Sequence, residues 1–203
     1  MHFTHKGGAA IIKLRYGNTN TFFIKGDYGG LLLDTDYAGT LPAFYKSAKN
    51  AGITLNEITY VSATHYHPDH MGLIGELISR GVKLLLLDTQ ADYVHYSDDI
   101  FKKDNICCSA IDETAADVIS CKDSRSFLAS IGIAGEIIST PSHSKDSVTL
   151  VSDCGNCFVG DLEPYEYIDG YEDNEALRRD WKRIMAFNPK TVYYAHRPEM
   201  IIG

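Results

Sequence analysis

The residue types that could do chemistry are concentrated between positions 64 and 70, where the chain reads Thr-His-Tyr-His-Pro-Asp-His. The chain has eight histidines in 203 residues, and three of them lie in this segment together with one aspartate. Imidazole nitrogens and carboxylate oxygens are the ligands that zinc and similar divalent metals select in proteins. The segment therefore predicts a metal site.

The spacing within this segment predicts ligands that point in two directions. His65 and His67 share a face if the preceding strand continues through them, because side chains alternate along a strand. Pro68 is favourable at the first position of a helix, which would place Asp69 and His70 in the opening turn. Four ligands that point two ways within six residues indicate two adjacent metal ions.

Composition predicts a single globular domain over residues 1–203. Hydrophobic residues make up 44% of the chain and charged residues 23%, which is ordinary for a globular protein. No stretch approaches the roughly 20 apolar residues that a membrane span needs. The five cysteines cannot all pair, and Cys107 is adjacent to Cys108, which argues against a secreted disulfide framework. The expected location is the cytoplasm.

The charge balance argues against a nucleic-acid partner. The net charge is −8, with 27 acidic residues against 19 lysines and arginines. Nucleic-acid affinity depends largely on basic side chains that neutralise phosphates, and the one basic concentration, 178–183, has the spacing of a solvated helix face. The expected partner is a small-molecule substrate, with no nucleic acid and no membrane, and no oligomeric state is predicted.

The predicted elements place several further candidate ligands directly after strands. The predicted strands are 9–16, 21–25, 31–33, 58–63, 83–87, 136–140, 148–151, 157–159 and 191–195, and the predicted helices are 41–50, 71–79, 90–103, 127–131 and 175–187. Segment 106–121 has no clear pattern. His143, Asp161 and His196 each follow a strand, and loops carried by a rigid sheet are common positions for metal sites.

Four motifs in this order resemble those of the metallo-β-lactamase superfamily. They are H-x-H-x-D-H at 65–70, Thr-Pro-x-His at 140–143, Gly-Asp at 160–161, and a last strand that ends at His196. The resemblance covers nearly the whole chain. It implies an α/β fold, an αββα sandwich of two mixed sheets covered by helices, with a two-metal site at one edge.

The resemblance also implies a ligand for every metal position. His65, His67 and His143 would hold one metal, Asp69, His70 and His196 the other, with Asp161 bridging them and Asp34 orienting a ligand from behind. The implied cofactors are two divalent metal ions, zinc by ligand type, with iron or manganese as alternatives. Ser142 and Arg197 stand where this family usually has glycine, and neither change removes a ligand.

The implied reaction is hydrolysis by a hydroxide that bridges the two metals, with Asp69 as the catalytic carboxylate that holds or carries a proton. Asp161 stands where the true zinc β-lactamases have cysteine, and only seven residues follow His196, whereas glyoxalase II enzymes add a helical domain. His67 differs from the glutamate of the flavodiiron enzymes. A small ester, thioester or lactone is the expected substrate. The alternatives are a phosphodiester or a non-catalytic metal-binding scaffold.

Substrate contacts are predicted from two regions and one cation. The regions are the irregular segment 88–125 and the segment 163–173, whose Tyr165 and Tyr167 hydroxyls could polarise a carbonyl. Arg197 follows a predicted ligand directly and could meet an anionic group of the substrate.

Overall fold

Two β-sheets form the centre of the molecule in a computed structural model that describes residues 10–106, 108–170, 172 and 174–202. The first sheet contains, in spatial order, β1 (Ala10–Arg15), β2 (Asn20–Lys25), β3 (Gly30–Leu33), β4 (Tyr60–Ser62), β5 (Lys83–Leu87) and β6 (Asp117–Ile119). The second contains β7 (Gly135–Ser139), β8 (Val148–Ser152), β9 (Asn156–Phe158), β10 (Thr191–Tyr193) and β11 (Met200–Ile201), in the order β11-β10-β9-β8-β7. Both sheets mix parallel and antiparallel pairs.

Within the part of the chain that the structure describes, six α-helices accompany the sheets. They are α1 (Leu41–Asn50), α2 (Pro68–Met71), α3 (Ile74–Ile78), α4 (Asp98–Lys103), α5 (Ser124–Ser130) and α6 (Glu175–Met185). Side chains of α1, α3 and α4 pack on the outer face of the first sheet, and those of α6 pack on the outer face of the second. The predicted αββα sandwich is confirmed. Within the described residues, no helix is long and apolar enough to cross a lipid bilayer.

The burial of β3 shows why its sequence is a continuous apolar run. Leu32 packs with Phe44 of α1 on the outer face, whereas Leu31 and Leu33 pack with Leu150 of β8 between the sheets. A strand that is buried on both faces has no polar alternation. Packing on both faces therefore fixes β3 in place. The residues that follow it lie at the edge of the sandwich, next to the end of this fixed strand.

The predicted helix 71–79 is wrong in part, because the chain forms α2 and α3 with a break at Gly72. The backbone N–H of Leu73 donates to Oγ1 of Thr35 at 3.1 Å, instead of continuing one helix. A Cβ at Gly72 would lie 2.2 Å from the backbone nitrogen of Ala38. The loop after β3 therefore packs closely against this break, and only glycine permits that approach.

The predicted helix 90–103 is also wrong in part. A 3₁₀ helix covers Asp88–Tyr93, and α4 begins only at Asp98. Buried polar contacts explain the division, since Gln90 Nε2 donates to the carbonyl of Ala63 and Ser97 Oγ donates to the carbonyl of Tyr66. Segment 106–121, which had no clear pattern, includes the edge strand β6.

Candidate metal centre

The histidine-rich segment begins just after β4, which ends at Ser62, and passes through bends at 64–65 and 67 into the short helix α2. β4 is hydrogen-bonded on both sides, to β3 and β5, so its carboxyl end is held firmly. His67 has extended backbone angles (φ −71°, ψ 153°) and precedes α2, in which Pro68 occupies the first turn. The predicted helix start is confirmed, because Asp69 and His70 belong to α2, but the strand does not continue through His65 and His67, which lie in the bend between β4 and α2.

The other three candidate ligands come from loops at one edge of the second sheet. His143 lies between β7 and β8, Asp161 follows β9, and His196 follows β10. Backbone hydrogen bonds join this edge to the first sheet. The N–H of Val148 donates to the carbonyl of Thr64 at 2.9 Å, and the N–H of Asn20 donates to that of Ala195 at 2.7 Å. The loops from both sheets consequently meet at one place.

The first three imidazoles converge closely. Nε2 of His65 and Nδ1 of His67 are 2.9 Å apart, and Nε2 of His143 lies 3.3 Å from the same Nδ1. One ligand atom from each of the three lies within 4.8 Å of the others. Three nitrogens at such separations could hold one metal ion.

A second group forms beside the first, from Asp69, His70 and His196. Nε2 of His196 lies 3.0 Å from Oδ2 of Asp69, and Nε2 of His70 lies 3.9 Å from Oδ1 of Asp69. These ligand atoms also lie within 4.8 Å of one another. The structure therefore brings together two triads of potential metal ligands.

Asp161 lies between the two triads. Its Oδ2 is 3.4 Å from Nε2 of His70 and 3.9 Å from Nε2 of His143, and its Oδ1 is 3.3 Å from Nε2 of His196. One carboxylate thus contacts histidines of both triads. All seven predicted ligand positions are gathered in this one cluster.

Unsatisfied polar atoms support a cation in this cluster. Both ring nitrogens of His70 and Oδ1 of Asp161 are buried, and beyond long contacts of 3.3–3.4 Å with the carboxylates and the imidazole around them they have no partner. Buried polar atoms without a partner are rare in proteins, because each carries a desolvation cost. A divalent cation is a partner that imidazole nitrogen and carboxylate oxygen can share, so this donor set fits a metal.

The histidines of the cluster differ in pKa, so that some favour the neutral form and others the protonated form. Burial, and after it the charge of His70, lowers the pKa of His65 far below its ordinary value. Burial opposes protonation of His70 as well, but Asp34 and Asp161 outweigh it and raise its pKa to about 10. Hydrogen bonds to Asp161 and Asp69 raise the pKa of His196 to about 10. A metal that binds here would replace protons, so binding would release them.

Asp34 contacts both the backbone just before the candidate ligands and the ring of one of them. Its Oδ1 accepts a hydrogen bond from the backbone N–H of Thr64 at 2.7 Å, and its Oδ2 lies 3.4 Å from Nδ1 of His70. Its φ of 57° is a left-handed conformation that aspartate and asparagine tolerate better than most residues. Asp34 therefore stands where a carboxylate can orient the ring of His70 through the nitrogen that faces away from Asp69.

We expect the substitution Asp34→Asn to weaken metal binding by about 10- to 100-fold, which is the usual effect of losing a carboxylate behind a ligating histidine. Asparagine can keep both the left-handed backbone and the hydrogen bond from Thr64, but it has no negative charge for His70. Competition with a chelator of known affinity measures the change. Asp117→Asn is the control, because that carboxylate also accepts a short hydrogen bond, from the Tyr60 hydroxyl at 2.6 Å. Unchanged affinity in Asp34→Asn would limit Asp34 to shaping the loop.

Several residues that support the cluster had no signal in the sequence. Asp146 accepts a hydrogen bond from the N–H of Tyr66 at 2.7 Å, and its own carbonyl accepts one from Gln90 Nε2 at 3.2 Å. This contact ties the loop that carries His143 to the loop that carries His65. The partners are 80 residues apart, and therefore no local pattern predicts the contact.

The loop before β2 supports the second triad. The hydroxyl of Thr19 donates to the carbonyl of Asp69 at 2.7 Å, and Nδ1 of His196 lies 3.2 Å from the carbonyl of Asn18. The N–H of Thr19 donates to Oδ2 of the buried Asp36. These contacts fix the orientation of two candidate ligands from the same side.

The two departures from the usual glycines are accommodated without strain. Among the described residues, the non-glycine positions with positive φ are Asp34, Asn105 and Asn188, so neither Ser142 nor Arg197 needs a glycine conformation. The N–H of Ser142 donates to Oδ2 of Asp180 in α6 at 2.8 Å, and this contact positions the backbone just before His143.

The predicted substrate contacts lie beside the cluster rather than in it. The Arg197 guanidinium lies over the rings of Tyr167 and Tyr194, at 5.4 and 5.3 Å from their centroids, and 3.6 Å from Glu166. Tyr165 packs edge-on against Trp181 of α6, with 5.5 Å between ring centroids. Residues 171 and 173 of the same segment lie outside the described residues. Substrate contact by Tyr165, Tyr167 or Arg197 therefore stays a prediction.

Known proteins resemble this chain in both sequence and fold. The family model for the metallo-beta-lactamase superfamily matches residues 14–196. No curated protein sequence matches the chain. A metallo-beta-lactamase family protein from Thermus thermophilus shares 14% identity, with a TM-score of 0.69 over 96% of this chain and 75% of the other.

Two further solved structures of similar fold contain bound metal ions. TTHA1623, solved in a di-iron-bound form, shares 17% identity, with a TM-score of 0.70 over 94% of this chain and 93% of the other. The metallo-beta-lactamase FIM-1 from Pseudomonas aeruginosa, in a mono-zinc form, shares 14% identity, with a TM-score of 0.63 over 99% and 89%. At these identities the likeness shows the fold alone. Together with the match over residues 14–196, it shows that this chain belongs to the metallo-β-lactamase superfamily.

Proposed function

We propose that this protein is a hydrolase that uses two divalent metal ions. The observation that carries the proposal is the position of Asp161 between two triads of ligands. In this assignment, His65, His67 and His143 hold one ion, Asp69, His70 and His196 hold the other, and Asp161 bridges them. A scaffold that merely bound one metal would need neither the second triad nor a shared carboxylate.

Two bound divalent ions would supply a nucleophile from water at neutral pH and polarise the oxygen on which negative charge develops. Asp69 would hold or move the proton. Its carboxylate is about one-third exposed and lies 3.0 Å from Nε2 of His196. A carboxylate that water can reach at this place could accept or deliver a proton during hydrolysis.

Zinc is our first choice for the metal by ligand type, with iron or manganese as alternatives. The assigned ligands are imidazoles and carboxylates, which suit all three metals. The second triad, with Asp69 and the shared Asp161, has the larger share of oxygen ligands. We therefore expect the second position to be the more permissive toward iron and manganese.

The substrate that we propose is a small ester, thioester or lactone. The net charge of −8 disfavours nucleic acids. Arg197, the cation that follows a ligand directly, already lies near Glu166 and two tyrosine rings, so it is poorly placed for an anionic substrate. We rank phosphodiesters second and β-lactams a distant third, because Asp161 stands where the true zinc β-lactamases have cysteine.

We place the activity in the cytoplasm, where free thiols such as those of Cys121, Cys154 and Cys157 persist.

A substrate panel tests the proposal directly. Metal-replete protein should hydrolyse at least one small ester, thioester or lactone with a higher kcat/KM than bis-p-nitrophenyl phosphate or a β-lactam, and chelation should abolish the activity. The same protein stripped of metal and reloaded serves as the control. Protein that carries two metals but turns over no member of the panel would favour the non-catalytic scaffold. Cleavage of RNA or DNA well above the best ester would overturn the substrate ranking.

A further inference from the structure

An exposed tyrosine stands beside the first ligand triad. The ring centroid of Tyr96 lies 5.8 Å from that of His67, at an interplanar angle of 37°, and Tyr96 is 59% exposed to solvent. Among the described residues, no other ring apart from the imidazoles themselves lies within aromatic contact of a candidate ligand. Half of the Phe, Tyr and Trp rings in the described residues are buried, and among the exposed ones Tyr96 is the ring that contacts a candidate ligand.

The backbone on both sides of Tyr96 is fixed. Val94 is buried among the apolar side chains between the first sheet and the helices α1, α3 and α4. The buried Ser97 donates its hydroxyl to the carbonyl of Tyr66 at 2.8 Å. Tyr66 is the residue between His65 and His67, so this hydrogen bond ties the Tyr96 segment to the ligand loop itself. The backbone of Tyr96 is therefore held close to the first triad, and the ring contacts His67 from there.

A second contact holds the outer side of the same segment. The His95 ring lies between two carboxylates, with Nδ1 3.0 Å from Asp98 and Nε2 3.1 Å from Glu113. These carboxylates raise the pKa of His95 despite the opposing effect of its partial burial. The bridge connects the start of α4 to the turn before β6, and both flanks of Tyr96 are consequently anchored.

We propose that Tyr96 forms one wall of the substrate site and stacks against an aromatic group of the substrate. This inference rests on the proposed hydrolase function, because the scissile carbonyl is assigned to the neighbouring ligand cluster. An exposed phenol ring on an anchored backbone offers apolar area and favours offset or edge-on contact with another ring. The nearby charges on the outer side, Asp98 and Glu113, are carboxylates that face His95, which favours a neutral ring over an anionic one.

Binding of two carboxylates to the metal-loaded protein tests this inference without turnover. Acetate and phenylacetate offer the same carboxylate to the metals, but only phenylacetate carries a ring. We expect the parent to bind phenylacetate about five- to tenfold more tightly than acetate by titration calorimetry, the range that an aromatic pair supplies. Tyr96→Ala should lose this preference, whereas Tyr96→Phe should keep it.

Two controls separate stacking from a supporting role for His67. Tyr28→Ala removes another exposed tyrosine, in the turn before β3 at the opposite end of that strand from Asp34, and should leave the preference intact. Metal content should be the same in Tyr96→Ala as in the parent. If Tyr96→Ala lost metal, or weakened acetate and phenylacetate equally, or kept the preference, the stacking role would be wrong. Loss of the preference in Tyr96→Phe would assign the effect to the hydroxyl and would overturn it as well.

Kinetics with matched esters distinguishes a failure of this inference from a failure of the proposed function. Methyl acetate and methyl phenylacetate differ only in the ring, and Tyr96→Ala should lower kcat/KM for the second ester about five- to tenfold, through KM. Hydrolysis of both esters with unchanged selectivity in Tyr96→Ala would overturn the role of Tyr96 alone. A Tyr96-dependent preference for phenylacetate in a protein that hydrolyses no ester would instead overturn the hydrolase function and leave the aromatic site standing.

Discussion

Replacement of Asp69 by asparagine is expected to lower kcat by about 100-fold or more, the scale of general acid–base catalysis. Asparagine has nearly the same shape, but it has neither the negative charge nor the ability to accept a proton. The loss of activity should be far larger than the loss of metal, because the other assigned ligands of the second ion, His70 and His196, remain. Steady-state kinetics on the best ester of the panel, with elemental analysis of the same samples, measures both quantities.

Asp99→Asn is the matched control for that experiment. Asp99 is also an aspartate near the start of a helix, but it lies on the surface and pairs with Lys102 at 3.1 Å. Its substitution should leave kcat within about twofold of the parent, since surface changes of this kind have small effects. An Asp69→Asn enzyme that retained most of its kcat would show that Asp69 has no part in proton transfer.

The candidate ligands could be predicted from sequence because their signal is local. His65, His67, Asp69 and His70 lie within six residues, and the helix start at Pro68 was predicted from the same segment, although the strand ends at Ser62, before the histidines. The layer order, in contrast, was implied by the resemblance to the metallo-β-lactamase superfamily and not by a local pattern. A short run of leucines such as β3 already indicates a strand that is buried on both faces.

The breaks in the helices could not be predicted, because tertiary contacts cause them. Residues 71–79 have a helical pattern, but Thr35 captures the N–H of Leu73, and the loop after β3 occupies the space beside Gly72. Ser97 likewise donates its hydroxyl to the carbonyl of Tyr66, and this contact separates the 3₁₀ helix from α4. Local propensity is a weak guide wherever such long-range partners compete with it.

Most of the residues that support the candidate ligands could not be predicted from the sequence for the same reason. Asp180 supports the loop before His143 from a helix 38 residues away, and in the sequence it is one charge among several on an amphipathic helix. Tyr96 could have been noticed as an aromatic residue within an irregular segment, but its position beside His67 depends on the fold. The sequence therefore identified the side chains that the structure gathers into one cluster, but few of the residues that surround them.

Removal of the shared carboxylate should change the metal stoichiometry. We expect the parent to carry two metal ions per chain and Asp161→Ala to carry at most one, because Asp161 approaches His143 of one triad and both His70 and His196 of the other. Without this carboxylate, two cations at adjacent positions would lose the negative charge between them, and their mutual repulsion would rise in a partly buried site.

Elemental analysis after dialysis against metal-containing buffer measures the stoichiometry, and Glu163→Ala is the matched control. Glu163 is an exposed carboxylate only two residues further along the same loop, outside the assigned ligand set, and its removal should leave two ions bound. Activity should fall with the lost ion in Asp161→Ala and persist in Glu163→Ala. Two ions retained in Asp161→Ala would remove Asp161 from its bridging role, and a single ion in the parent would replace the two-metal assignment with a one-metal site.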